Sequence, residues 1–241
     1  MSQFKKGKTM KYIIAIGRTT FTIIFNSVAG INTGTVPPFL FNLAGITVWN
    51  YFTACLNGTS NTFGSNAGIF GKVYFPRIIV PLSIVISNLL KFGIQFFIFI
   101  CFYLYYYLQG AAIGMNATTL FFPLLIVMMG ILGLGLGMFI SSLVTKYRDF
   151  SNLVGFGVQL LMYVSAVMYP MALIKEKLPT YGWLVEYNPL AYVIETTRYM
   201  LLDVGHISLL GLGYTFLVTI SVFFVGVLIF NRTEKSFIDT V

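Results

Sequence analysis

The sequence predicts an all-α, polytopic integral membrane protein. Hydrophobic residues make up 57% of the chain and charged residues only 9%, whereas an ordinary soluble domain is about a quarter charged. No charge lies between Arg18 and Lys72 or between Lys91 and Lys146. About 20 apolar residues at roughly 1.5 Å each cross a hydrocarbon core of about 30 Å, so each gap holds two helices. The runs are continuously apolar, which favours helices over the alternating strands of a barrel.

Six spans follow in chain order within a single transmembrane domain covering residues 1–241. Their predicted limits are 12–31, 38–56, 78–107, 120–144, 153–173 and 207–230. The first is the weakest, because it contains Arg18 and Asn26 and is followed by turn-forming residues. A cleaved signal peptide is the alternative, but a short apolar core followed by a small-residue cleavage site is not evident. We therefore expect a retained span.

Lysine and arginine positions predict the orientation, because cytoplasmic loops carry an excess of these residues. With the N-terminus inside, the cytoplasmic segments hold ten cations and the outer segments three. The ten are Lys5, Lys6, Lys8, Lys11, Lys72, Arg77, Lys146, Arg148, Arg232 and Lys235, and the three are Lys175, Lys177 and Arg198. Both termini are predicted to be cytoplasmic. The net charge of +8 then reflects topology, and no basic domain for a nucleic acid is predicted.

Few residues are available for chemistry. The chain has one histidine and seven acids, and we predict no metal site and no catalytic residues. Four acids, among them Glu186 and Glu195, lie in the predicted outer segment between the fifth and sixth spans, so a hydrolytic pair there is the minor alternative. The run "GILGLGLGMF" lacks a Walker motif. Its Gly133 and Gly137 have the small-xxx-small spacing of closely packed membrane helices.

Polar residues between the spans mark candidate sites. Asn188-Pro189 breaks the apolar period of "WLVEYNPLAYVIETTRYMLL", since the residue before a proline is driven out of the helical region. We therefore predict two short, re-entrant outer helices, with Glu195 and Arg198 paired at i, i+3. In the cytoplasmic segment after the second span, Lys72 and Arg77 flank aromatic residues. Lys91 interrupts the third span and is a candidate for lining a channel.

Five motifs in order resemble one family. They are "FPRIIVPLS" after the second span, "KYRDF" after the fourth, "MYP" ending the fifth, "NPLAYVIETTRYMLL" in the outer segment and "FNRTEKSFIDT" at the C-terminus. The chain is similar over about 90% of its length to the permease subunits of type-2 ABC exporters of polysaccharides such as O-antigen, capsule and teichoic acid.

The resemblance implies a homodimeric channel in the cytoplasmic (inner) membrane of a bacterium. It implies that this chain binds no cofactor, since a separate nucleotide-binding subunit binds ATP and magnesium. Residues contacting that ATPase would be Lys72, Tyr74, Phe75, Pro76, Arg77, Lys146, Tyr147, Arg148 and Asp149. An outer gate would comprise Tyr169, Pro170, Asn188, Pro189, Glu195 and Arg198. Tyr163 and Trp183, with Lys91, are further candidates for the channel wall.

The start of the chain departs from the family pattern. Family members begin with a cytoplasmic amphipathic helix and a Leu-Gly-x-x-x-Trp motif before the first span, so this N-terminal segment is expected to be shortened. Two kinds of cargo are compatible with a permease of this type: lipid-linked polysaccharide, or a drug or lipid. A membrane-embedded polysaccharide polymerase is the remote third hypothesis.

Overall fold

A computed structural model describes residues 36–70, 76–147, 149–177 and 179–238. Within these ranges the chain is all-α, with nine α-helices, two short 3-10 segments and no strand. The helices are α1 (Pro38–Ser60), α2 (Thr62–Phe70), α3 (Ile79–Leu108), α4 (Phe122–Lys146), α5 (Phe150–Val164), α6 (Met171–Lys177), α7 (Gly182–Glu186), α8 (Pro189–Leu202) and α9 (Leu209–Ile238). The 3-10 segments are Ala117–Phe121 and Pro179–Tyr181.

Four helices of the described ranges are long and apolar enough to cross a membrane. They are Pro38–Ser60, Ile79–Leu108, Ala117–Lys146 and Leu209–Glu234, and they coincide with the second, third, fourth and sixth predicted spans. The predicted first span, 12–31, lies outside the described residues. Two thirds of the most apolar stretches of α1 and α4 are buried, against 22% in α3 and 17% in α9. The chain is thus a multi-pass membrane protein with α1 and α4 at its centre.

The fifth predicted span, 153–173, is shorter than expected. Helix α5 ends at Val164 after 15 residues, a length of about 22 Å at 1.5 Å per residue. Ala166 has a φ of +53°, which no right-handed helix accommodates. The carbonyl groups that follow α5 bind a side chain of α8 rather than the next helical turn. The prediction that the helix continues to residue 173 is therefore wrong.

Glycines bring the central helices into backbone contact. A Cβ at Gly133 would lie 2.9 Å from Cβ of Cys55 on α1, and one at Gly137 would overlap Thr59 on the same helix. The predicted small-xxx-small packing is confirmed, with α1 as the partner. On the opposite face of α4, Gly135 packs against Phe223 and Gly226 of α9. Helix α4 is therefore held tightly on two sides.

The bundle has two ends, which we name by their arginines. At the Arg77 end, α2, the start of α3 and the last turns of α9 meet, as the stacked rings of Phe63 and Phe230 illustrate. At the Arg198 end, the start of α1 meets the end of α3 through Phe39 and Phe102. The segment containing α6, α7 and α8 lies at this second end.

Helix α8 is a short internal helix. Its 14 residues reach about 21 Å, too little to cross about 30 Å of hydrocarbon. Asn188 caps its N-terminus by accepting a hydrogen bond from the Leu190 amide at 3.0 Å, and Pro189 takes the first helical position. The chain leaves at Asp203 in the left-handed conformation. The predicted break at Asn188-Pro189 is confirmed, and α7 and α8 are the two short helices beside it.

Candidate functional site

The guanidinium of Arg198 is the most deeply buried charge among the described residues. Arg198 is 0% exposed, and its side chain projects from α8 toward the turn that follows α5. Nη1 donates to the carbonyl oxygens of Ala166 at 2.9 Å and Tyr169 at 3.1 Å, and Nη2 donates to that of Val167. One arginine thus binds three carbonyl groups of the 165–169 turn, a geometry that suits its planar fork of donors.

Three further groups complete the Arg198 cluster. Oε2 of Glu195 lies 3.6 Å from Nη1 of Arg198, so the predicted i, i+3 ion pair is present, in the interior. The ring of Phe41 on α1 lies 3.8 Å from Cζ of the guanidinium, a cation–π contact. Gly45, one turn further along α1, leaves the necessary space, because a Cβ there would lie 2.8 Å from Nη2. Helices α1, α5 and α8 therefore meet at one charge.

Burial sets the electrostatics of this cluster. Loss of solvation lowers the pKa of Arg198 from its ordinary value to about 10, and the neighbouring Glu195 carboxylate acts in the opposite direction. The guanidinium consequently remains charged at neutral pH. Burial also raises the pKa of Tyr169, whose hydroxyl donates to the Tyr163 carbonyl. With its three hydrogen bonds to backbone carbonyl groups, Arg198 acts as a fixed structural connection between α8 and the turn after α5.

A second connection joins the same two elements. Nδ2 of Asn188 donates to Oγ of Ser165 at 3.0 Å, and that hydroxyl donates to the carbonyl of Leu161 at 2.7 Å. Pro170 ends the turn and its carbonyl accepts from Leu173 as α6 begins. All six residues predicted for the outer gate, namely Tyr169, Pro170, Asn188, Pro189, Glu195 and Arg198, therefore lie in the 165–169 turn, at its end or on α8 and its cap.

Sequence reasoning missed the residues that hold α8 from its other sides. Nδ2 of Asn116 donates to the carbonyl of Tyr199 at 3.1 Å and to Oδ1 of Asp203 at 2.7 Å. At the opposite end of α8, Oγ1 of Thr215 on α9 shares its proton between the carbonyl of Gly211 at 2.8 Å and that of Pro189 at 3.1 Å. Each is an isolated polar residue whose hydrogen-bond partner on α8 or its cap lies 26 to 87 residues away in the sequence. No local periodicity or spacing distinguishes them.

The predicted ATPase-contact residues are only partly described. Lys72, Tyr74, Phe75 and Arg148 lie outside the described residues. Pro76 is exposed, whereas Arg77 is 7% exposed. Nη1 of Arg77 donates to the backbone carbonyl of Glu234 at 3.3 Å, and its Nε lies 3.8 Å from Oε1 of the same residue. Arg77 is thus an internal contact, not a free surface cation.

Lys146, Tyr147 and Asp149, at the end of α4 and the start of α5, are exposed. Lys146 ends α4, with its ammonium 5.4 Å from the ring centroid of Tyr147. Tyr147 is 57% exposed. Asp149 occupies the N-cap position of α5 and is exposed, without a side-chain cap hydrogen bond. These three residues have the accessibility that a docking surface requires.

The three residues predicted for a channel wall lie on separate elements. Lys91 is exposed on α3, Tyr163 is 60% exposed on α5 and Trp183 is 54% exposed on α7. Helix α5 itself has no fully buried residue, and an apolar cavity of about 340 Å³ separates it from α4, lined by residues such as Phe139, Leu143 and Val158. Helix α5 is therefore only loosely packed against the neighbouring helix α4.

Comparison with known proteins decides the family. The family described as "ABC-2 type transporter" matches residues 1–202, which extend to the end of α8. The chain belongs to the ABC-2 type transporter family. The match includes the whole Arg198 cluster, whereas α9 lies beyond it.

Relatives of this ABC-2 transporter carry more specific names. An O-antigen export system permease protein RfbA from Klebsiella pneumoniae is 29% identical over 204 residues, covering 83% of this chain and 74% of the relative. A second such protein from the same organism is 27% identical over 203 residues, with the same coverage. A permease of the same name from Myxococcus xanthus is 23% identical over 159 residues, covering 65% of this chain and 58% of the relative.

Proposed function

We propose that this chain is the channel-forming permease subunit of an ATP-driven exporter that moves lipid-linked polysaccharide across the cytoplasmic membrane of a bacterium. The observation that carries the proposal is the match to relatives named O-antigen export system permeases over 83% of the chain. The multi-pass helical architecture, with four candidate spans in the described residues, supports a transport subunit.

The proposal includes a separate ATPase subunit, which binds ATP and magnesium and docks at the Arg77 end. The bias of lysine and arginine supports a cytoplasmic position for this end and for both termini. Burial leaves that bias in place, because removal of the buried Arg198 from the outer count and of the buried Arg77 from the cytoplasmic count gives nine cations against two. The exposed Lys146, Tyr147 and Asp149 are proposed docking residues.

A second copy of the chain completes the proposed channel. Helix α5 supports this, since Leu153, Phe156, Leu160 and Tyr163 on it are all more than half exposed. In a membrane these side chains contact lipid, a second copy or the cargo. The apolar and aromatic character of these side chains suits all three partners, because the faces of sugars also pack on aromatic rings.

The Arg198 cluster supports a gating role for α8. The cluster ties the outer end of α5 to α8 through three hydrogen bonds from one guanidinium. In the proposed mechanism, ATP-driven closure of the partner subunits pushes on the cytoplasmic segments. Displacement of the bundle then moves α5 and α8 together and opens the outer end for a polymer that slides through.

Deletion of the gene in its host tests the cargo. Loss of surface polysaccharide with accumulation of lipid-linked polymer inside the cell is expected, and expression of the wild-type chain restores export. Unchanged surface polysaccharide would contradict the proposal, and altered drug or lipid efflux in that strain would instead favour a different ABC-2 cargo.

The polymerase hypothesis is tested by Glu186→Ala and Glu195→Ala. A polymerase would lose chain growth while export of preformed polymer continued. Glu195 is 7% exposed and paired with Arg198, a poor position for a general acid, and we expect both variants to synthesise polymer of normal length.

A further inference from the structure

Helix α5 carries exposed polar side chains along one of its faces. Asn152, Gln159 and Tyr163 follow one another at spacings of seven and four residues, which places them on the same side of the helix, and all three are exposed. Apolar residues that line the cavity between α4 and α5, such as Val154 and Leu161, lie on the opposite side. The polar face is therefore turned away from α4.

Helix α1 has a similar polar face. It packs against glycines of α4 through Cys55 and Thr59. Asn57 is two residues from each of these contacts, and at 100° per residue it lies on the side of α1 away from α4. Asn50 is seven residues earlier and shares that side. Asn57 is exposed and Asn50 is half-buried, so two amides stand on the uncovered side of a helix that is otherwise central to the bundle.

The two polar faces lie at the same level of the bundle. A Cβ at Gly45 of α1 would lie 2.8 Å from the carbonyl oxygen of Val167, just beyond the end of α5. Measured from this contact at about 1.5 Å per residue, Gln159 is about 12 Å away. On α1, Asn50 is about 7.5 Å and Asn57 about 18 Å from it. Gln159 therefore lies at a height between the two asparagines.

The polar face of α5 also borders α1. Met162 is three residues from Gln159 and adjoins it on the helix surface. Met162 is partly buried against the core but is not part of the wall of the cavity shared with α4, and α1 is the other long helix in contact with α5. The four side-chain amides on these two faces form one surface, which we name the amide surface: Asn50, Asn57, Asn152 and Gln159.

The amide surface is uncharged and unpaired. Within the part of the chain that the structure describes, none of its four side chains has a hydrogen-bond partner. Helices α1 and α5 contain no charged residue, and the sequence contains no acid before Asp149. An amide facing hydrocarbon without a partner costs free energy. The amide surface therefore requires a polar partner, such as water, the cargo or a second copy of the chain.

We propose that the amide surface binds the hydroxyl groups of uncharged sugar units as the polymer passes. This inference rests on the proposed function and adds the chemical class of the cargo and the residues that contact it. A side-chain amide both donates and accepts hydrogen bonds, as a sugar hydroxyl does. Each neutral hydrogen bond contributes little net free energy, which suits a polymer that must slide. The ring of Tyr163 continues the same face.

The first experiment compares two neighbouring positions of α5. Gln159→Cys and Leu160→Cys are both exposed in the structure and differ in which side of the helix they occupy. They are introduced after the native Cys55 and Cys101 are replaced by alanine, and labelled with a hydrophilic maleimide in the transporter hydrolysing ATP in nanodiscs. Gln159→Cys should react at least about tenfold faster, because a thiol facing lipid is protonated and excluded from water.

Two outcomes of this labelling would overturn the inference. Equal rates at both positions would show that the amide surface does not face an aqueous passage. A disulfide that joins two copies through Gln159→Cys would show that a second copy covers the surface, as amides also connect membrane helices. Neither outcome depends on which cargo the transporter moves.

The second experiment tests sugar binding. Labelling of Gln159→Cys should be slower in cells that synthesise the polymer than in cells that lack its glycosyltransferases, and equal rates would overturn the inference. Export per folded transporter should fall about fivefold in Gln159→Leu, the effect of one neutral hydrogen bond, and less in Gln159→Asn, with Leu160→Met as the control on the other side. Normal export in Gln159→Leu would also overturn the inference, whereas the proposed function fails separately if gene deletion leaves surface polysaccharide unchanged.

Discussion

Replacement of Arg198 by methionine tests whether one side chain fastens α5 to α8. The guanidinium donates three hydrogen bonds to carbonyl groups of the 165–169 turn. At about 1.5–3 kcal/mol for each bond from a charged donor, their sum is about 4.5–9 kcal/mol. The variant also regains the several kcal/mol that desolvation of the guanidinium costs. The expected net loss is about 3–5 kcal/mol, as for removal of one member of a buried charged pair.

Thermal unfolding in lipid nanodiscs measures this loss. A loss of that size lowers the melting temperature by about 10 °C for a chain of this length. Tryptophan fluorescence is a suitable signal, since Trp49 is buried in α1 and Trp183 is exposed on α7. Glu195→Gln keeps the three carbonyl bonds but removes the counter-charge of a buried guanidinium, so it should lower the melting temperature as well. Gly213→Ala, at a position where the space is open, is the control expected to leave the melting temperature unchanged. A melting temperature of Arg198→Met within about 2 °C of wild type would refute the reasoning.

The difference in unfolding free energy between wild type and Arg198→Met should also be independent of pH near neutrality. Burial lowers the pKa of Arg198 in the folded chain to about 10, below its ordinary value. The unfolded chain therefore binds more protons only above about pH 10, and stability rises with pH only there. Between about pH 6 and 9 the arginine is charged in both states. A difference between wild type and Arg198→Met that changes steeply in this range would show that a different group is responsible.

Three further predictions concern the packing of Gly226, the hydrogen bonds of Asn116 and the exposed Asp149. Gly226→Ala inserts a methyl group against the Gly135 carbonyl and should destabilise by about 1–3 kcal/mol; Gly213→Ala on the same helix, where the space is open, should not lower the melting temperature. Asn116→Ala removes two hydrogen bonds to the end of α8 and should lower the free energy of unfolding by about 1–3 kcal/mol. Backbone amides at the end of α8 should exchange faster with solvent, and unchanged exchange would show that these bonds do not hold the helix end. Asp149→Ala should leave insertion and melting nearly unchanged and weaken ATPase stimulation, whereas normal stimulation would make the residue a topological marker alone.

The apolar runs predicted the long helices because a membrane span is specified by local composition. Helices α1 and α4 fall in long segments without an internal charge, and α3 and α9 fall in apolar segments with few charges. The break at Asn188-Pro189 was equally predictable, since it depends on the geometry of a single dipeptide. The spacing of Gly133 and Gly137 predicted a close helix contact, although only the structure identifies α1 as the partner.

Long-range contacts account for what the sequence did not predict. Residues 165–168 include Ala166 and Val167 and read as a continuation of α5, but Ala166 adopts a φ of +53° and the carbonyl groups of Ala166 and Val167 bind Arg198, 32 and 31 positions away. Arg198 was assigned to the outer aqueous segment because sequence counts cannot distinguish a buried cation from a solvated one. Arg77 was assigned to a docking surface for the same reason, since its partner Glu234 is 157 positions distant.

The backbone contact between Gly135 and Gly226 limits how this transporter changes shape. With no side chain between them, the main chains of α4 and α9 interlock, and neither helix can slide along the other without collision. We therefore expect α4 and α9 to move together as one rigid unit. Relative motion within the bundle is expected elsewhere, and α5, which has no fully buried residue, is the long helix where we expect it.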